Sequence, residues 1–121
     1  FRVTGFVPDE FADAALLSAG IPFAAHRNVS ASGSLAAWTS VGRRAIASAG
    51  RYTEEMARLR PGTLRLVHPN GSPAYAMAEA IAEAVEDPER TWLDPAVDLS
   101  PGAEDCARML FDVLRRVHRW T

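Results

Sequence analysis

One segment of the chain combines a histidine with a polar turn that contains glycine. His68 follows an apolar run typical of a β-strand and opens the sequence His-Pro-Asn-Gly-Ser-Pro. A histidine side chain exchanges a proton near neutral pH, and the side chains of Asn70 and Ser72 both donate and accept hydrogen bonds. Backbone N–H groups at the start of a helix also attract carboxylates and oxyanions. The segment therefore predicts a site for an acyl or anionic ligand, with His68 as the candidate catalytic residue and Asn70, Gly71 and Ser72 as candidate binding residues.

Each of these residues also has a structural interpretation. His68 before a proline can be a turn residue that hydrogen-bonds locally. Ser72 followed by Pro73 has the pattern of a helix N-cap with proline in the first turn, and a capping hydroxyl can border a ligand as well. Cys106 lies on the apolar stripe of a helical pattern, which predicts a buried thiol rather than a nucleophile. Three scattered histidines and one cysteine show no metal-ligand spacing, so no metal site is predicted.

The elements around this turn alternate between helical and extended patterns. Helices are expected over residues 8–18, 34–49 and 72–86 and from residue 100 onward, and residues 51–60 are expected to be a short helix or a turn. Strands are expected over residues 2–7, 63–67 and, more weakly, 91–97. This order predicts a layered α/β fold with a short, mostly parallel sheet and helices on its faces. Residues 1–7 and 63–67 are then expected to be neighbouring strands. The last helix should turn one apolar stripe to the core, formed by Cys106, Met109, Leu110, Val113, Leu114 and Val117.

Composition limits the classes of protein to which the chain can belong. At 121 residues and 48% hydrophobic, residues 1–121 are expected to form a single domain. With a net charge of −2, the chain lacks the excess of basic residues that is typical of nucleic-acid-binding proteins. No apolar run is long enough to span a bilayer and no signal-peptide pattern is present. We therefore expect no nucleic-acid or membrane partner and, by default, a cytoplasmic protein.

The histidine turn also resembles the His-Gly-Thr-Gly-Thr-Pro…Glu signature of β-ketoacyl synthases. His68, Gly71, Ser72, Pro73 and Glu79 carry this likeness. Residues 42–50 look like the family's helix that ends in Ala-Gly, residues 100–105 like its glycine-rich turn, and residues 1–6 like the strand that opens its second half. The resemblance implies a thiolase-like half-domain in which the histidine polarises a thioester. It also implies that Asn70 and Ser72 lie near the phosphopantetheine arm of an acyl carrier protein, with no other cofactor.

The departures from this family define the function that the resemblance implies. The half of the fold that supplies the family's nucleophilic cysteine has no counterpart here, and Ala96 stands near the position of its second histidine. The chain is thus similar to a chain-length factor: a non-catalytic or complementing subunit of polyketide or fatty-acid-type biosynthesis that pairs with a ketosynthase-type chain in a homo- or hetero-oligomer. It is not expected to be a complete condensing enzyme.

Two other classes of function stay open. The chain can be a small stand-alone α/β enzyme or binding protein that holds an acyl or anionic ligand at the turn formed by residues 68–72. It can also be an interaction module without a small-molecule site, because fold analogy alone does not determine function.

Overall fold

The computed structural model describes residues 4–26 and 28–118 of the chain. Helices and strands alternate along it as α1 (Asp9–Ser18), β1 (Phe23–Ala24), α2 (Gly33–Ser40), β2 (Ala45–Ser48), α3 (Arg51–Leu59), β3 (Leu64–Val67), α4 (Pro73–Glu86) and α5 (Ala103–His118). One turn of 3₁₀ helix, Pro88–Thr91, follows α4. The prediction of a mixed α/β fold is confirmed.

The three strands form one parallel sheet in the order β1-β2-β3. Side chains alternate between its faces, as they must in extended chains. Ala45 and Ala47 of β2 pack in a buried cluster with Leu35 of α2 and with Tyr52 and Met56 of α3. The opposite face has a second cluster, in which sheet residues Ile46 and Val67 meet Ala80 and Ala84 of α4. Helices therefore cover both faces of the short sheet.

The helix expected over residues 34–49 ends early, so this prediction was wrong. The N–H of Gly42 donates to the carbonyl of Thr39 at 3.1 Å, and the N–H of Arg43 donates to the carbonyl of Trp38 at 2.9 Å. With Gly42 at a φ of +77°, these two bonds form the glycine-dependent stop known as the Schellman motif. Residues 45–48 are thereby released to form β2 as the central strand.

Two of the expected strands also need correction. Residues 1–3 of the first expected strand lie outside the described residues, and residues 4–7 are not a strand. The described neighbour of β3 is β2. In the weak strand expected at 91–97, only Trp92 makes a bridge, an antiparallel one to Arg43. Asp94 ends the extended segment, because its carboxylate accepts from the N–H of Ala96 at 2.8 Å and its carbonyl accepts from the N–H of Val97 at 2.9 Å.

The terminal helices have the expected positions but not the expected burial. Neither α1 nor α5 contains a buried residue. Cys106 is exposed, so the prediction of a buried thiol was wrong. The rest of the predicted stripe is more than half exposed, from Val113 at 53% to Met109 at 63%. The helical period did place these side chains on one face, but among the described residues that face stays open.

Arg43 joins three separate segments at the amino end of the sheet. Its side chain is 2% exposed and lies over the ring of Trp92, with 4.3 Å between the guanidinium carbon and the ring centroid. The guanidinium donates to the carbonyls of Leu17, Ala19, Gly20 and Thr91 and to the hydroxyl of Thr91. Burial lowers the pKa of Arg43, but an arginine stays charged throughout the accessible pH range. The end of α1 is thus held to β2 by a buried cation.

Within the described part of the chain, no helix combines the length and apolar character needed to cross a membrane.

Candidate functional site

The carboxyl ends of all three strands lie at one edge of the sheet. The strands end at Ala24, Ser48 and Val67. Polar loops follow β1 and β3, and the short turn Ala49-Gly50 follows β2. Parallel pairing brings these loops together, and in open α/β sheets this is the edge at which ligands bind. The described structure therefore places His68 at the edge where its predicted chemistry requires it.

A groove opens between the carboxyl ends of β1 and β2, and we call it the carboxyl groove. Its cavity volume is about 370 Å³. Its walls come from the loop after β1 and from the turn between β2 and α3, and they consist of His26, Asn28, Val29, Ser30, Ser48, Ala49, Gly50, Arg51 and Thr53. His26 and Arg51 are both exposed and no carboxylate is among the lining residues. The composition of the walls suits an anionic ligand.

Local hydrogen bonds fix the floor of the carboxyl groove. Thr53 is 2% exposed, and its Oγ1 donates to the carbonyl oxygens of Ser48 at 2.8 Å and Gly50 at 3.1 Å. The N–H of Ala49 donates to the carbonyl of Val67 at 2.9 Å, which extends the pairing of β2 with β3 beyond the strands. No side chain caps the first turn of α3. The backbone N–H groups of that turn are therefore not taken up by a capping side chain.

His68 lies one strand further along the same edge. Its side chain is 61% exposed, and its Nδ1 is 3.9 Å from Oε1 of Glu54 in α3. This separation is longer than a hydrogen bond but close enough for electrostatic attraction when the imidazole is protonated. The contact with Glu54 is too long to lock the ring in place, and the exposed side chain of His68 is accessible to a ligand.

The turn after His68 depends on glycine. Gly71 has a φ of +90°, in the region that favours glycine, and a Cβ built there would meet no atom within 4 Å. Ser72 occupies the N-cap position of α4, as expected, but its side chain makes no capping hydrogen bond. Gly71 therefore serves the conformation of the turn, and the hydroxyl of Ser72 is not used for capping.

A second groove of about 350 Å³ runs between the outer edge of β3 and α4. Of the four predicted site residues, it brings together His68 and Asn70, with Tyr75 and Glu79 on the facing helix. Gly71 and Ser72 do not line it. The structure thus joins two of the predicted site residues in one groove and leaves the other two in the adjoining turn.

Sequence reasoning missed the carboxyl groove because it missed β2. Two signals were present. Gly42 after an eight-residue helix is a helix stop, and the short run Ala-Ile-Ala-Ser before Ala49-Gly50 has the length of a buried strand. With β2 assigned, Ser48 and Arg51 would have stood at a strand-to-helix turn like that of His68.

Across the described residues, no group of three or more His, Cys, Asp or Glu side chains is arranged to hold a metal ion. Comparisons of the chain with family models, with curated proteins and with solved structures find no match.

Proposed function

We propose that this chain is an α/β ligand-binding module that holds an acyl or anionic small molecule at the carboxyl edge of its sheet. The observation that carries the proposal is the carboxyl groove, which lies at the ends of two adjacent parallel strands. Its volume of about 370 Å³ falls within the roughly 300–1,000 Å³ range of small-molecule sites.

The side chains of the carboxyl groove give it a preference for negative charge. Arg51 presents a guanidinium, which matches the geometry of a carboxylate or phosphate, and His26 adds a second donor on the opposite wall. The uncapped first turn of α3 contributes partial positive charge. Ser48 and Asn28 add hydrogen-bonding groups that fix orientation.

His68 is the residue proposed to act on the ligand. It lies directly after the next strand end, with its Nδ1 3.9 Å from Oε1 of Glu54 in α3. We infer that a ligand extending from the carboxyl groove across the first turn of α3 reaches it. An exposed imidazole there can donate a proton or hydrogen bond to an acyl oxygen. The resemblance to β-ketoacyl synthases implies the same role for this histidine.

The test is calorimetric titration with S-acetyl phosphopantetheine, which carries both a thioester and a phosphate. Arg51→Gln should weaken binding by about three- to tenfold, the range for an exposed charge-assisted contact. The matched control is Arg58→Gln, at the far end of the same helix, where the side chain is 72% exposed and outside the groove. Absence of saturable binding, or equal loss in both variants, would overturn the proposal.

A second candidate function is the complementing subunit implied by the ketosynthase resemblance. In that case the chain would be a thiolase-like half-domain that pairs with a ketosynthase-type chain, and an acyl carrier protein would deliver the ligand in the cytoplasm. The observation that favours it is the exposed apolar face of α5, because large open apolar surfaces mark interaction sites.

This second candidate is tested by light scattering and by co-expression with a ketosynthase-type chain. It predicts an oligomer and stable co-purification, with an interface above roughly 1,000 Å². A stable monomer that retains no such chain would contradict it and leave the ligand-binding module as the better account.

A further inference from the structure

A second, smaller cavity lies on the α4 face of the sheet, away from the carboxyl groove. It has a volume of about 180 Å³, and we call it the arginine cavity because Arg44, Arg65 and Arg90 line it. Its base includes the buried Ile46 of β2, and the small side chains of Ala80 and Ala84 leave room beneath α4. Three arginine residues from three separate segments therefore line one small space.

The carboxylates near the arginine cavity do not balance this charge. Glu83 is the one acidic residue that lines it. Its Oε2 accepts from Nη2 of Arg65 at 2.8 Å and lies 3.9 Å from Nη1 of Arg90. Arg90 also pairs with Asp87, 3.0 Å away. Among the described residues, no carboxylate pairs with Arg44.

Arg44 carries the clearest sign of a missing partner. Its Nε is fully buried and has no hydrogen-bond partner. The backbone of Arg44 is fixed, because its N–H donates to the carbonyl of Thr91 at 2.7 Å. A buried N–H of a charged group without an acceptor is costly, so such groups nearly always have one. The Arg44 side chain also lines the arginine cavity, so an oxyanion there would compensate the positive charge that no described carboxylate neutralises.

We propose that the arginine cavity binds the phosphate group of a small phosphate compound. Planar guanidinium forks match the oxygen spacing of phosphate and bind it by paired hydrogen bonds. At about 180 Å³ the cavity is below the roughly 300–1,000 Å³ of sites that enclose whole drug-sized ligands. It fits one phosphate group, and the remainder of the compound would extend past Arg90, whose side chain is 62% exposed.

Glu83 makes this proposal distinguishable from an ordinary surface ion-pair network. If the arginines serve only to pair with Glu83, then Glu83→Gln removes their partner and creates no phosphate site. If the cavity binds phosphate, Glu83 competes with the ligand for Arg65. Its neutralisation should then tighten phosphate binding several-fold.

The experiment is a residue-resolved NMR titration with inorganic phosphate at constant ionic strength, with chloride as the reference anion. Saturable shifts should centre on the backbone amides of residues 44, 65, 80, 84 and 90. Arg44→Gln should weaken phosphate binding about tenfold, as expected for the loss of a charge-assisted hydrogen bond, whereas Arg58→Gln should leave it unchanged. A parallel titration with glycerol phosphate tells free phosphate from a phosphate ester as the preferred form.

Three results would overturn the proposal: no saturable response to either phosphate compound, unchanged binding in Arg44→Gln, or no gain in Glu83→Gln. If Arg44→Gln does not fold, Arg90→Gln replaces it, because that side chain is exposed and its loss spares the core. Arg51→Gln should not affect this site. The failure of the carboxyl groove and the failure of the arginine cavity can therefore be told apart.

Discussion

Replacing Arg43 by methionine tests how the amino end of the sheet is held together. Methionine keeps much of the side-chain length and apolar character but removes every donor. The buried guanidinium of Arg43 joins the end of α1 to Thr91 and stacks on Trp92. Because α1 has no buried residue, these contacts are its described anchor to the sheet.

The size of the effect follows from the two shortest bonds, at 2.7 Å to the Gly20 carbonyl and 2.9 Å to the Ala19 carbonyl. Hydrogen bonds to charged groups contribute about 1.5–3 kcal/mol each. The lower value applies here, because Gly20 is exposed and water can replace the lost donor. The stacking on Trp92 adds about 0.5–1 kcal/mol. We expect Arg43→Met to lower the free energy of unfolding by about 3.5–4 kcal/mol, a large part of the roughly 5–15 kcal/mol that stabilises a domain.

The assay is urea unfolding followed by tryptophan fluorescence. With an m-value of about 1–3 kcal/mol/M for a small domain, the midpoint should fall by roughly 1–4 M at an unchanged slope. Arg43→Lys should give an intermediate loss, because an ammonium group neither forks between carbonyls nor stacks as a plane. The control Arg58→Met, on an exposed side chain, should stay within about 0.5 kcal/mol of the parent protein. A loss below about 1 kcal/mol in Arg43→Met would refute this account of Arg43.

Three further predictions concern single residues. Cys106 is exposed, so a thiol reagent should label it as fast in the native protein as in urea, and Cys106→Ala should leave the midpoint of urea unfolding unchanged. Slow labelling of the native protein would show instead that α5 is covered. Gly71→Ala should lower the free energy of unfolding in urea by about 1–2 kcal/mol, because Gly71 has a φ of +90°. The control Gly33→Ala should not lower it, because Gly33 has no positive φ and open space around it. Equal effects of the two substitutions would contradict the turn geometry. The backbone N–H of Ser100 donates to the carboxylate of Asp98 and lowers the pKa of Asp98. The ionised carboxylate therefore stabilises the fold above the unfolded pKa of about 3.9, and this stabilisation is lost as the pH falls through the lower folded pKa. An NMR titration that gives an ordinary pKa for Asp98 would contradict this prediction.

The sequence predicted the elements whose signals are local. β3, the turn after it and α4 were expected because Pro69 and Gly71 interrupt an apolar run and Pro73 suits the first turn of a helix. These signals act over a few residues, so tertiary packing does not override them.

The central strand could not be recognised in the same way. β2 is rich in alanine, a strong helix former, and it directly follows a helical pattern. It forms a strand because it pairs with β3 and with the two-residue β1. Both pairings join residues that are far apart in the sequence. Without β2, the carboxyl groove had no predicted wall.

The helical period of the apolar residues in α5 did not predict their burial. The stripe from Met109 to Val117 repeats correctly for one helix face, yet it stays exposed. Periodicity shows which side chains share a face, whereas burial depends on what packs against that face. For the same reason, His68 was placed correctly at a strand end, but its exposure was not predictable.

The most direct test of the ligand-binding proposal is a residue-resolved NMR titration of the whole chain with S-acetyl phosphopantetheine. The account predicts saturable shifts in the backbone amides of residues 26, 28–30 and 48–53, accompanied by a shift of the His68 ring. Half-saturation should need about three- to tenfold more ligand in Arg51→Gln and the same concentration as the parent protein in Arg58→Gln. Saturable shifts confined to other surfaces, or none at all, would contradict the claim that the carboxyl edge of the sheet is the binding site.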